Sequence, residues 1–128
     1  MPKNAYFWAA LSWTFLIVGL CFCTFSNIPQ VRIANIDKLV HFTFHFVFVF
    51  LWYLYFSKNE KSQNPNLKTF VVLGSFFFGF LIELGQGILT KTRNADFLDV
   101  LANLTGSIIA IILIVCLEKF TNLLKNNK

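Results

Sequence analysis

Four apolar stretches, residues 5–25, 39–56, 69–90 and 97–117, account for most of this 128-residue chain. Each is close to the roughly 20 residues that a helix needs to cross about 30 Å of hydrocarbon. Composition agrees: with 56% hydrophobic residues, 13% charged residues and 17 Phe, a water-soluble domain of this size would expose more apolar surface than one small core can cover. The expected fold is all-α, a four-transmembrane-helix bundle forming one domain over residues 1–128.

The third stretch tests that expectation, because it contains Glu83. Its 13 Leu, Ile, Val and Phe residues, at about −0.5 kcal/mol each, favour insertion by roughly 6 kcal/mol, against about 3 kcal/mol for a central carboxylate. The span survives its glutamate. The first stretch follows Lys3 as a signal peptide would, but its apolar run exceeds the usual length and no small-x-small cleavage site precedes the Ser26-Asn27-Ile28-Pro29 segment. It is expected to be a retained span.

The net charge of +5 does not indicate nucleic acid. Lys3, Lys58, Lys61, Lys68, Lys119, Lys125 and Lys128 fall on one side of a four-span arrangement, and Arg32, Lys38, Lys91 and Arg93 on the other. By the positive-inside rule this asymmetry puts the N and C termini and the loop around Asn64 in the cytoplasm. The expected location is the bacterial inner membrane, multi-pass, with membrane lipids as neighbours. Cys21, Cys23 and Cys116 all fall within spans and form no Cys-x-x-Cys pair, so they are expected to be buried structural thiols. Trp8, Trp52, Tyr6, Tyr53 and Tyr55 lie where an aromatic belt belongs.

Threaded this way, the polar residues of three spans share one depth on the extracytoplasmic side. Asp37, His41 and His45 step by four, Glu83 and Gln86 by three, and Asp96, Asp99 and Asn103 by three and four, so each series occupies one helix face. Small residues, Ser75, Gly79, Ala102, Gly106 and Ala110, lie on or beside those faces and permit close helix approach. Such groups could simply satisfy one another. Eight polar residues in one layer favour a site, because ionisable groups in spans usually mark pathways or pockets.

The motifs Asp37-Lys38-x-x-His41-Phe42, Glu83-x-x-Gln86 and Arg93-x-x-Asp96-x-x-Asp99-x-x-x-Asn103-x-x-Gly106 resemble the VanZ-like family of small bacterial integral membrane proteins. The resemblance runs from about Ile36 to Ile109. It implies an association with resistance to teicoplanin, an acylated glycopeptide that acts outside the membrane, and it supplies no defined reaction. His45 departs from the family, which often has an aromatic such as Tyr there.

Two functional readings follow. In one, an outward-facing pocket of Asp37, Lys38, His41, Glu83, Gln86, Arg93, Asp96, Asp99 and Asn103 binds an amphiphilic or lipid-linked envelope molecule, with Arg93 and Lys38 on an anionic head. In the other, the chain is an intramembrane enzyme acting on a lipid head group, with His41 as general acid or base, Asp37 or Asp99 orienting it and Glu83 as a second acid-base group. His41 and His45 share a face and, with Glu83 or Asp99, offer three ligands. Phe42 excludes a His-Glu-x-x-His signature, however, and neither a metal nor another cofactor is expected. A transporter is disfavoured by the absence of an inverted repeat or a broken span.

The topology is directly testable. Cysteines introduced at Asn64 and Lys125 should react in intact cells only with membrane-permeant thiol reagents, and one at Gln30 with impermeant reagents as well. Labelling of position 64 from outside would reverse the orientation.

Overall fold

The computed structural model describes residues 3–22, 36–59, 64–89 and 96–126. They form four helices: α1 (Lys3–Phe22), α2 (Ile36–Asn59), α3 (Leu67–Leu89) and α4 (Phe97–Asn126). All four are long and apolar enough to cross a membrane, and no strand occurs among the described residues.

Helix ends differ from the limits of the apolar stretches for a physical reason. Hydropathy marks where hydrocarbon begins, whereas the backbone hydrogen-bond ladder continues into the polar interface. Thus α2 starts at Ile36 and already contains Asp37 and Lys38, and α4 runs past Leu117 to Asn126. Two starts are built from side chains. Asn64 Oδ1 accepts from the Asn66 amide at 3.0 Å and its carbonyl accepts from Leu67 at 3.1 Å, a turn placing Pro65 just before α3. Asp96 Oδ1 accepts from the Leu98 amide at 2.9 Å, capping α4.

Contacts between side chains set the directions of the helices. Phe7 of α1 packs against Trp52 and Tyr55 while Trp13 packs against Phe44 and donates from Nε1 to its carbonyl at 3.0 Å, so α1 and α2 are antiparallel. Lys38 meets Asp96 while Tyr53 meets Glu118, so α2 and α4 run in the same direction. Ser75 against Ser107 and Lys68 against Glu118 make α3 antiparallel to both.

The burial pattern is the reverse of that in a water-soluble bundle. Buried positions include His41, His45, Ser75, Glu83, Gln86, Asp99, Asn103 and Ser107, while Ile88 and Phe97 are 80% and 72% exposed. Hydrocarbon covers such an outer surface at no cost, whereas polar groups must find partners inside. The same logic corrects the expectation for the thiols: Cys21 is buried, but Cys116 faces outward among the apolar side chains. Cys23 lies outside the described residues.

Along the axis the interior is layered. Carboxylates and His41 occupy one end, His45, Ser75 and Ser107 come next, and Val49, Val71, Ala110 and Ile114 supply an apolar layer. Tyr53, Lys68 and Glu118 close the other end. Phe48 and Phe78 stack with centroids 5.0 Å apart between α2 and α3.

Close approach of α2 and α4 depends on Gly106. A Cβ there would strike the Phe42 carbonyl oxygen, with the carbonyl carbon 3.0 Å and Cα 3.2 Å away, and a backbone cannot swing aside as a side chain can. Gly74, by contrast, has nothing within 4 Å of its Cβ position. We predict that Gly106→Ala destabilises the bundle by about 1–3 kcal/mol. Gly74→Ala should be neutral or stabilising by up to ~1 kcal/mol. Denaturation of the two variants in detergent should separate them, and equal midpoints would remove Gly106 from this role.

Candidate functional site

His41 is the centre of the polar layer. It projects from α2 one turn after Asp37, is 3% exposed, and meets groups from both other helices of the layer. Its Nδ1 lies 3.2 Å from Asn103 Oδ1 of α4 and 3.5 Å from Glu83 Oε1 of α3. Its Nε2 points the other way, 3.9 Å from both Asp37 Oδ1 and Asp99 Oδ2.

Lys38 sits at the rim, with Nζ 3.3 Å from Asp96 Oδ2 and 3.6 Å from Asp99 Oδ1. Asp96 has three tasks at once: capping α4, pairing with Lys38 and offering its own amide to Glu83 Oε2 at 3.4 Å. The Leu98 amide, with the Lys38 ammonium beside it, holds the Asp96 carboxyl below the usual carboxylate range. The cap and pair are therefore intact at neutral pH and are lost only as the pH falls through that lowered value.

The expected cluster is thus largely one constellation. Asp37, Lys38, His41, Glu83, Asp96, Asp99 and Asn103 converge, and α2, α3 and α4 all contribute. Gln86 is turned aside, donating from Nε2 to the Cys21 carbonyl at 2.9 Å and tying α3 to α1. Arg93 lies outside the described residues.

Below this layer His45 belongs to a separate chain of hydroxyls. Ser107 Oγ donates to the Asn103 carbonyl at 2.8 Å, so Ser75 Oγ must donate to Ser107 Oγ at 2.9 Å and accept from His45 Nδ1 at 2.7 Å. Gly79 makes room beside it, its Cβ position lying 2.8 Å from both His45 Cε1 and Asn103 Nδ2. Ser107 was absent from the sequence-derived set, although it stands four residues after Asn103 on the same face.

The opposite end was also missed. Tyr53 donates to Glu118 Oε1, Lys68 reaches Glu118 Oε2 at 2.8 Å, and the Lys68 ammonium stands 5.7 Å above the Tyr53 ring. Glu118 continues the α4 face in steps of four from Ile114 and Ala110, the signal that could have revealed it. A groove of about 690 Å³ passes over this triad. Its charged groups answer one another.

The His41 layer is different, because among the described residues it holds unpaired groups of both kinds. Among the described residues three buried side-chain atoms make no hydrogen bond, Glu83 Oε1, Asp99 Oδ1 and Asn103 Nδ2, and all three belong to this layer. Buried polar atoms without partners are rare and costly, which makes their concentration here informative. A recess of about 320 Å³ lies where α1 meets α2, lined by Leu20, Ile36, Val40 and Phe44 together with Asp37 and His41 of the layer.

The sequence model described as VanZ/LLP1 matches residues 4–118. The chain belongs to the VanZ/LLP1 family. No curated protein and no solved structure matches it. The family match takes in α2 and α3 whole and all but the outer ends of α1 and α4 of this VanZ/LLP1 protein, including every residue of the polar layer and the Gly106 contact that aligns it.

The hydroxyl chain generates a prediction. Ser75→Ala leaves the His45 Nδ1 proton without an acceptor and should cost about 1–3 kcal/mol. In a His45→Phe background the same substitution should cost less, because the unsatisfied donor is gone. A double-mutant cycle on denaturation midpoints checks this, and additive effects would show that the two side chains are not coupled.

Proposed function

We propose that this protein is a multi-pass protein of the bacterial inner membrane whose His41 layer faces outward and holds the polar head of an amphiphilic or lipid-linked envelope molecule. Resistance to an acylated glycopeptide would act through such a contact. The observation that carries this reading is the recess, whose lining combines the apolar Leu20, Ile36, Val40 and Phe44 with the polar Asp37 and His41. Its volume, about 320 Å³, is at the small end for a ligand site and suits a head group with the start of a chain.

Charge selects the head. Asp37, Glu83, Asp96 and Asp99 face Lys38 and His41, so among the described residues carboxylates outnumber cations and favour amine and hydroxyl groups.

A second reading, an intramembrane enzyme acting on the head group, is favoured by one feature: His41 has carboxylates near both ring nitrogens, the surroundings of a general acid or base. Mass spectrometry of the recovered amphiphile separates the two. An unaltered head supports binding, and a cleaved or transferred head supports the enzyme.

Purified protein should be stabilised against heat by a long-chain primary amine more than by an alkyl sulfate of the same length. Asp37→Asn should abolish that difference. If Glu83, Arg93 and Asp99 only neutralise one another, replacing all three by apolar residues of similar size should restore stability and binding, whereas losing one alone leaves a buried unpaired charge at about 3–5 kcal/mol. We expect Glu83→Gln and Asp99→Asn to fold and fail to bind. Amine binding by the triple apolar variant would overturn the reading.

A further inference from the structure

The proton on His41 can be placed by elimination. Asn103 Oδ1 at 3.2 Å and Glu83 Oε1 at 3.5 Å are both acceptors, so Nδ1 carries the hydrogen. In the neutral ring Nε2 then presents a lone pair, and it faces two more acceptors, Asp37 Oδ1 and Asp99 Oδ2, each 3.9 Å away. Protonating Nε2 does not resolve this, because 3.9 Å is beyond the reach of a direct N–H···O bond.

A cation between the three groups does resolve it. The ligand atoms of Asp37, His41 and Asp99 all lie within 4.8 Å of one another. Zinc bonds of about 2.0–2.2 Å place neighbouring tetrahedral ligands roughly 3.4 Å apart. Moving each donor inward by a fraction of an ångström closes that gap.

The surroundings are those of a metal ligand. A metal-bound histidine nearly always donates its other ring N–H to a carboxylate or carbonyl that fixes the ring, and Glu83 and Asn103 stand at that position. Asp99 is only 5% exposed, and its Oδ1 makes no hydrogen bond among the described residues. The Lys38 ammonium approaches Asp99 through that same Oδ1, leaving Oδ2 for an ion.

We propose that Asp37, His41 and Asp99 bind one divalent transition-metal ion, with Glu83 and Asn103 positioning His41 and the recess beside Asp37 providing an open coordination position. One imidazole and two carboxylates suit zinc, manganese or iron(II) better than magnesium or calcium, which take oxygen ligands almost throughout. This departs from the sequence-level expectation of no metal, which rested on the absence of a His-Glu-x-x-His motif and on a pairing of His41 with His45. The structure directs His45 to Ser75 instead. An ion here goes beyond head-group binding and does not depend on it.

The test needs no amphiphile. Protein purified with a histidine-free tag, stripped with chelator and dialysed against Zn²⁺, should retain one ion per chain by elemental analysis, and Co²⁺ should give the visible absorption of a low-coordinate site. His41→Gln and Asp99→Asn should abolish both signals. Glu83→Gln, which leaves all three ligands in place, should keep the ion but weaken its affinity roughly 10–100-fold. His45→Phe should leave both unchanged. Wild-type protein that retains no stoichiometric zinc overturns the proposal, whether or not the variants fold. So does undiminished binding in His41→Gln, or a loss in His45→Phe as large as in His41→Gln.

Discussion

The bundle depends on the backbone contact where Gly106 of α4 meets Phe42 of α2. In hydrocarbon, burying apolar side chains supplies no drive to associate, so helices hold together through close packing and the pairing of polar groups. Without a side chain at position 106, α4 approaches α2 with Asp99 and Asn103 brought against Asp37, Lys38 and His41. Because the two helices run in the same direction, one close contact sets the register of every polar pair between them. The Tyr53 and Glu118 pairing at the far end follows from the same alignment.

The two ends answer their charges differently. At the Tyr53 end one carboxylate receives a phenol and an ammonium, one to each oxygen, so Glu118 has a partner for both and the group is complete. At the His41 end, among the described residues, four carboxylates face one lysine and one histidine, and the buried atoms without hydrogen bonds collect there. A structural pairing has no reason to be left incomplete. Glu83 Oε1 and Asp99 Oδ1 are the acceptors that the proposed site would offer to a donor or a cation from outside.

His45 shows how near the two kinds of polar group can lie. It is one helical turn below His41 and equally buried, yet its Nδ1 is taken up by Ser75, which passes the chain on to Ser107 in an order imposed by the Asn103 carbonyl. That chain links α2, α3 and α4 just beneath the site and holds Asn103 by its backbone. The Asn103 side chain remains available to His41.

Much of this was legible in the amino-acid sequence by itself, because the constraints involved are local. Span length against bilayer thickness determined the number of helices. The steps of three and four determined which of Asp37, His41, Glu83, Asp99 and Asn103 share a face, and Gly106 marked a close approach. Partners were not legible, since they depend on rotation and register between helices that no single helix records. Only the tertiary structure turned Gln86 toward α1, gave His45 to the serines and brought Tyr53, Lys68 and Glu118 together. The two nitrogens of His41 are the sharpest case: spacing put the residue in the layer, but which groups face each nitrogen was decided by three helices packing around it.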